Sequence, residues 1–353
     1  MAIRVAINGF GRVGRAFFRA TRRRNDLEVV AINDLAAAPV LAHLLKYDSV
    51  HGRFPGEARA EGDRLVVDGC AIPTFRAGRP RDLDWRGLGV WAAVDATGCH
   101  CGCADLQGHL DAGACKAVLT ANPALADKET IKTIVLGVNE REYDPAAHHL
   151  VSNASCTTNA LAPVLLALDA EFGVRQGVVA TVHSYTQDQR LVDAPHADLA
   201  RARAAALSII PTTTGAAAAL ALVLPELAPR LRGLSLRVPT PNVSLVDLTV
   251  LLRAPADAAA VNDCLRRQAA GRLRGILEIC DEPLVSCDFL GAAASAVLDA
   301  PRTLIAADPD GGGTLVKLLL WYDNETGYAA RLADLIHFLS LREKEPSHGD
   351  QVS

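Results

Sequence analysis

Gly9-Phe10-Gly11-Arg12-Val13-Gly14 follows the strand-like run Ile3 to Ile7 and opens a stretch of helical period. Glycines in this G-x-G-x-x-G order allow a tight turn and a close approach of backbone to a pyrophosphate, whose charge is then held by the positive end of the helix beginning near Gly11. A second strand-like run, Val29 to Ile32, ends at Asn33-Asp34, where a carboxylate accepts hydrogen bonds from an adenosine ribose. A glycine-rich turn in an ordinary βαβ unit needs no such acid. Strand, glycine loop, helix and acid together therefore read as a dinucleotide-binding α/β unit.

Working outward, apolar runs such as Val90 to Val94 continue to alternate with segments of helical period, the pattern of a parallel sheet with helices on its faces. From about residue 155 the texture changes. One helix-like segment, Ala160 to Phe172, leads into strands at Gly177 to Val182, Leu234 to Val238 and Ser244 to Leu252, which predicts a second, α+β domain. The Ala-rich stretches 201–207 and 215–224 retain regular apolar content around Ile209-Ile210-Pro211 and read as ordered. A chain of 353 residues, 50% hydrophobic, is long enough for two cores. Its 36 basic and 40 acidic residues leave a formal charge of −4, so there is no general field for nucleic acid or an acidic membrane, and any anion site must be local. The nine cysteines are odd in number and scattered, unlike a secreted disulfide framework. With no signal-like leader and no apolar run long enough to span a bilayer, a cytoplasmic location is expected. No membrane or nucleic-acid partner is.

Ser152-Asn153-Ala154-Ser155-Cys156-Thr157-Thr158-Asn159 precedes the helix-like segment and puts Cys156 at or near a helix N-terminus. The helix end and a nearby imidazolium both favour the thiolate, the form that attacks a carbonyl carbon. His183 is the candidate partner. Read from the residues alone, Cys156 is equally well a small buried residue, and His183 a satisfied strand histidine.

The blocks INGFGRVGR (7–15), NASCTTN (153–159), HSYT (183–186), RAAALSIIPTTTGAA (203–217), RVPTPNVS (237–244) and WYDNETGY (321–328) occur in an order that resembles the phosphorylating glyceraldehyde-3-phosphate dehydrogenase family. The resemblance runs from about residue 2 to residue 335. It implies a Rossmann dinucleotide-binding domain over 1–154 with 322–341 and an α+β catalytic and oligomerisation domain over 155–321, while the polar stretch 342–353, with Pro346 and Gly349, reads on its composition as a flexible tail. It further implies that Cys156 is the nucleophile and His183 its base. A hemithioacetal loses hydride to the nicotinamide, and inorganic phosphate then cleaves the thioester. By motif position, Asn8, Gly9, Phe10, Gly11, Arg12, Val13, Gly14, Asp34, Thr97, Gly98, Thr120, Asn324 and Tyr328 would contact the cofactor. Thr186, Asp188 and Arg237 would hold the phosphate of glyceraldehyde 3-phosphate; Ser155, Thr157, Thr214 and Gly215 would hold inorganic phosphate, with Arg201 near both. Taken singly, these arginines and threonines read as surface and turn residues. The family also implies a homotetramer in which 184–207 forms an inter-subunit loop.

Several positions depart from the family pattern. Ala218 stands where lysine is usual, Ala160 where a second cysteine commonly follows the nucleophile, and Asn122-Pro123 in place of a Ser-Ala-Pro segment. Cys99-His100-Cys101-Gly102-Cys103 replaces a stretch that usually contains an aromatic residue; its C-x-C-x-C spacing lacks the paired C-x-x-C of a closed zinc site, so no metal is expected. Asp34 favours NAD by repelling a 2′-phosphate. Ala194, where NAD-using members place leucine before Pro195, leaves room for NADP, yet Leu35 supplies no cationic partner for it. Two alternatives stand beside the main reading. Erythrose-4-phosphate dehydrogenase is disfavoured by Ser184-Tyr185-Thr186 and the Thr214 block, and a catalytically weak binding or regulatory paralogue by intact Cys156 and His183.

Overall fold

The computed structural model describes residues 2–213, 215–307 and 314–344. By contact the chain divides into two compact units, one of Met1–Ile134, Arg141–Ala154 and Ala329–Ser353, the other of Val135–Glu140 and Ser155–Tyr328.

The first unit contains the strands β1 Ile3–Asn8, β2 Leu27–Asn33, β3 Tyr47–Asp48, β4 Gly52–Arg53, β5 Ala58–Glu61, β6 Arg64–Val67, β7 Cys70–Phe75, β8 Ala92–Asp95, β9 Lys116–Leu119, β10 Lys132–Thr133 and β11 Leu150–Ser152. Its helices are α1 Arg12–Thr21, α2 Ala38–Lys46 and α3 Cys103–Asp111. The main sheet runs β10-β11-β9-β8-β1-β2-β7-β6-β5, and the strand order reverses between β8 and β1. From β10 through β7 all pairs are parallel. Every residue of β8 and β9 is buried, as expected of strands covered on both faces. One edge differs from the parallel sheet expected from the sequence. β5, β6 and β7 pair antiparallel across two-residue hairpins: Glu61 pairs with Arg64 around Gly62 (φ 58°), and Val67 with Cys70 around the left-handed Asp68 (φ 49°) and Gly69 (φ 81°).

The second unit holds α4 Cys156–Phe172, β12 Val174–Ser184, β13 Ile210–Thr212, α5 Ala216–Val223, β14 Leu231–Val238, β15 Ser244–Leu252, α6 Ala258–Ala270, β16 Leu277–Cys280, β17 Ala296–Asp299, β18 Leu304–Ala307 and β19 Thr314–Tyr322. The sheet order is β13-β14-β12-β15-β19-β17-β16, with β18 also on β19. Burial alternates strictly along β15 and β19. Val246, Leu248, Val250, Val316, Leu318 and Leu320 are fully buried on one face, and α4 packs against β12, β15 and β19. The expected helix at 160–172 begins four residues earlier, at Cys156. Two consecutive threonines and an asparagine are weak helix formers, but the Ser155 side chain accepts from Thr158 N and caps the first turn.

The final helix, α7 Thr326–Arg342, has most of its length in the first unit. There Leu332, Leu335, Ile336 and Leu339 are fully buried, each worth about 2 kcal/mol of apolar burial. Arg24 binds both Asp26 and Asp334, and His337 lies 2.7 Å from Asp26, tying α7 beside the end of α1. Of the tail expected over 342–353, residues 345–353 lie outside the described residues.

Candidate active site and dinucleotide site

The candidate reacting centre of the second unit is assembled in part by strand register. β12 and β14 pair in parallel so that His183 faces Arg237, and β15 pairs with β19 so that Ser244 faces Tyr322. Cys156 is the first residue of α4. Its Sγ lies 3.6 Å from His183 Nε2. His183 Nδ1–H donates to Ser184 O at 2.7 Å, which leaves Nε2 as the acceptor facing the thiol. Arg237 Nη1 donates to the same carbonyl at 3.1 Å and lies 3.0 Å from His183 Nδ1. Its Nε is buried with no hydrogen-bond partner among the described residues, as suits a guanidinium waiting for an anion.

Burial pushes the Cys156 thiol up, opposed by the Arg237 charge and by hydrogen bonds at the start of α4. Burial and Arg237 hold His183 down, to about 3, against the bond to Ser184. Arg237 itself is lowered by burial. Neither partner is favoured as an isolated charge. The chemistry available is proton exchange within the pair: a thiolate forms as the imidazole takes its proton, and Arg237 stabilises that thiolate.

Thr157 Oγ1 and Tyr322 OH share a buried hydrogen bond of 2.9 Å, and the Tyr322 ring stands edge-on to His183 at 6.1 Å. Burial, then the nearby Cys156, raise the Tyr322 phenol, so it stays a hydroxyl that orients Thr157. Sequence reading missed Tyr322, although it lies two residues before the selected Asn324. Asn324 Oδ1 accepts from Ser184 Oγ and Ser244 Oγ, each at 2.9 Å. Two left-handed residues flank these groups, Ala154 (φ 54°) two positions before Cys156 and Val243 (φ 67°) just before Ser244. Such non-glycine conformations persist only where the surroundings hold them.

The other selected residues fall into a neighbouring set. Asp188 forms an ion pair with Arg201 and lies 3.4 Å from His196; those bonds outweigh burial and lower its carboxyl. Arg201 Nε donates to Thr212 Oγ1 at 2.9 Å. Asp188 and Arg201 are both close enough to bear on Arg237. Thr186 gives its N–H to Gln189 Oε1, Ser155 caps α4, and Gly215 leads into α5. Thr214 lies outside the described residues. Tyr328 is buried, 4% exposed.

In the first unit the three glycines have separate reasons to be glycine. A Cβ on Gly9 (φ 92°) would lie 2.7 Å from Thr97 N, and one on Gly14 would lie 2.1 Å from Gly9 O. A Cβ on Gly11 would meet nothing within 4 Å, so the backbone there is open to a close approach. No side chain caps α1 at its Gly11 end. Asp34 Oδ2 accepts from Phe10 N at 2.8 Å and Oδ1 from Ala36 N at 2.9 Å, fixing the carboxylate beside the glycine loop. This cradle fits a dinucleotide: open backbone for a diphosphate, a fixed acid for a ribose. Phe10 is buried edge-on against Phe18, so only its backbone is available to a ligand. Val13 is partly buried in the first turn of α1. Arg12 is bound to Asp48 at 2.7 Å; burial opposes, but that bond and two backbone N–H groups hold Asp48 at about 2. Asn8 spends its side chain on Asp95 and Asn33, and Thr97 and Thr120 also bond to Asp95, while Gly98 (φ 72°) turns the chain after Thr97. Asp95 was not selected from the sequence; an acid at the end of an apolar strand is signal enough to flag it. No group of three or more metal-ligating side chains occurs among the described residues.

Residues 3–102 match the NAD-binding domain of glyceraldehyde 3-phosphate dehydrogenase and residues 155–324 match its C-terminal domain. The glyceraldehyde-3-phosphate dehydrogenase of Geobacillus stearothermophilus is 52% identical over 342 residues, covering 97% of this chain and 99% of its own. Glyceraldehyde-3-phosphate dehydrogenase 1 of Bacillus subtilis is 49% identical over the same shares of the two chains. A chloroplastic form from Arabidopsis thaliana is 46% identical over 96% of this chain and 75% of its own. The chain therefore belongs to the glyceraldehyde-3-phosphate dehydrogenase family, with that family's NAD-binding domain followed by its C-terminal domain.

Proposed function

We propose that this chain oxidises glyceraldehyde 3-phosphate to 1,3-bisphosphoglycerate with inorganic phosphate and NAD, reversibly, through a thioester on Cys156. The observation that carries the reading is the 3.6 Å approach of His183 Nε2 to Cys156 Sγ at the start of α4, beside Arg237. His183 takes the thiol proton, the thiolate adds to the aldehyde carbon, and the imidazolium returns that proton to the former carbonyl oxygen, giving a hemithioacetal and a neutral His183. His183 then draws the hemithioacetal hydroxyl proton as the carbon is oxidised to the thioester level. NAD, held by the glycine loop and Asp34, supplies the hydride acceptor. Inorganic phosphate attacks the thioester carbonyl, the Cys156 thiolate leaves, and the acyl phosphate is released.

Arg237, Thr186 and Asp188 form the substrate-phosphate group in this reading, and Ser155, Thr157, Thr214 and Gly215 the group for attacking phosphate. Arg201 serves both. The cofactor and catalytic roles follow the division into 1–154 with 322–341 and 155–321. A cytoplasmic homotetramer is part of the same proposal. In its support, no helix of the described residues is long and apolar enough to cross a membrane, and the 185–209 region exposes Leu191, Val192, Leu199, Leu207 and Ile209.

An initial-rate matrix tests the function: glyceraldehyde 3-phosphate against erythrose 4-phosphate, NAD against NADP, with and without inorganic phosphate. The expected result is phosphate-dependent reduction of NAD with the triose. Equal efficiency with the tetrose, or a tenfold preference for NADP, equivalent to about 1.4 kcal/mol, overturns the substrate or cofactor assignment.

A further inference from the structure

Asp95, at the C-terminal end of β8, is 1% exposed and collects five hydrogen-bond donors. Oδ1 accepts Thr97 Oγ1–H at 2.6 Å and Thr97 N–H at 3.1 Å. Oδ2 accepts Asn8 Nδ2 at 2.8 Å, His109 Nε2 at 3.1 Å and His100 Nδ1 at 3.1 Å. Trp85 Nε1–H lies 3.0 Å from His109 Nδ1, and an indole only donates. His109 is therefore committed at both ring nitrogens.

His100 is committed at one. Its Nδ1–H points to Asp95, its ring keeps 20% of its surface exposed, and Nε2 has no partner among the described residues. Neither lysine nor arginine bridges to Asp95 among the described residues, so its buried charge faces only histidines and neutral donors. The ring is placed where the strand order reverses between β8 and β1, with Nδ1 3.4 Å from Asn8 Nδ2, the side chain just before Gly9. A ligand in a doubly wound sheet lies in that crevice. Arg12, the cation inside the glycine fingerprint, directs a guanidinium nitrogen to Asp48.

We infer that His100 is a cofactor-holding residue: its imidazolium, oriented by Asp95, presents Nε2–H to an anionic oxygen of the dinucleotide's diphosphate. The inference rests on the reading that the glycine loop holds NAD. The hydrogen bond to Asp95 raises His100 above its ordinary value; burial opposes, and the charges of Asp95 and Asp105 add to the rise. Asp95, Asp105 at the first turn of α3, the flanking thiols of Cys99 and Cys101, and His109 across Asp95 are the titratable groups around it. The ring is charged below its folded pKa, and a bound diphosphate favours that form further. Cofactor affinity should fall as pH rises through this titration.

The test is calorimetric affinity of the intact protein for NAD and for adenosine diphosphoribose from pH 6 to 9, in wild type, His100→Phe, His100→Gln and Asp34→Ala. Melting curves confirm that each variant is folded. His100→Gln keeps a donor for Asp95 without the charge and carries the comparison should His100→Phe fail to fold. The expectation is about a tenfold weakening with rising pH for both ligands in wild type, and a flat profile at the weak limit in the His100 variants. The His100 ring resonance should titrate at higher pH once adenosine diphosphoribose is bound. A variant with the wild-type pH profile, or a ring titration unmoved by saturation, overturns the inference. Binding that depends on Asp34 but not on His100 overturns it alone; absence of saturable NAD binding overturns the cofactor reading as well.

Discussion

In the proposed reaction Cys156 and His183 divide one task between atoms 3.6 Å apart. Cys156→Ser keeps the size of the side chain but loses the sulfur that carries the acyl group. Phosphate-dependent oxidation should disappear while NAD affinity stays within about twofold, on the footing that a hydroxyl is far less ionised than a thiol; retained turnover would falsify the covalent route. His183→Asn leaves the thiol without its base and should slow the first turnover by about a hundredfold or more. Rapid-mixing measurement of cofactor reduction decides this, since an unchanged burst contradicts the assigned role. Asp95 is a residue of the other kind, one whose chemistry is structural. Asn in its place turns an amide N–H₂ toward groups that are themselves donors, so Asp95→Asn should cost about 3 kcal/mol at pH 7. Burial opposes ionisation of Asp95, but its bonds to His100, His109 and Thr97 hold it well below the ordinary carboxylate value of 3.8. A carboxyl depressed on folding contributes stability that is present above the ordinary value and lost as pH falls through the folded one. The stability gap between wild type and Asp95→Asn should therefore shrink below about pH 4, as read by denaturant titrations across that range. A gap that stays constant to pH 2 would mean the charge of Asp95 contributes nothing.

At the scale of elements, the loop from β1 into α1 separates two uses of glycine that sequence patterns merge. Gly14 is small because the protein is close: an added Cβ would meet Gly9 O at 2.1 Å. Gly11 is small although nothing of the protein is within 4 Å. Gly14→Ala should lower the melting temperature and weaken NAD binding together, whereas Gly11→Ala should leave the melting temperature nearly unchanged and still weaken NAD by at least about tenfold, or 1.4 kcal/mol. Thermal melts paired with calorimetry separate the two cases; equal NAD affinity in Gly11→Ala would mean that the open space serves no ligand. The strand signals were legible because both sheets write burial into sequence, as continuous apolar runs in β8 and β9 and as strict alternation in β15, whose expected limits Ser244 and Leu252 coincide with the observed strand. The start of α4 was not legible in the same way. A capping serine overrides the poor helix propensity of Thr157, Thr158 and Asn159, and that capping depends on a backbone turn rather than on periodicity.

At the scale of the whole molecule, what sequence leaves out is coincidence between distant residues. The placing of His183 opposite Arg237 follows from strand register and its approach to Cys156 from where α4 begins, and the Asp95 cluster joins side chains separated by up to 101 positions. No local pattern encodes either. Local pattern does, however, encode a surface left open. On the sheet of the second unit, the face opposite the buried row of Val246 to Leu252 carries Leu245, Thr249, Leu315 and Leu319, and Val178 and Leu234 are 58% and 46% exposed nearby on β12 and β14. Leu191, Val192, Leu199, Leu207 and Ile209 add five large apolar side chains, each at least 66% exposed. A monomer of 37.3 kDa gains nothing from so much apolar surface in water, and at about 25 cal/mol per Å² its burial between copies is a strong drive to assemble. Closed symmetric assemblies are the usual outcome for identical chains, and the family resemblance selects four. Sedimentation equilibrium should return about four times the chain mass at micromolar concentration. Val178→Asp with Leu234→Asp, both at exposed positions, should reduce that mass while each chain stays folded by circular dichroism. A wild-type protein that sediments as a monomer would show that this face is held in solution by some means other than a second copy, and the oligomer proposal would have to be withdrawn.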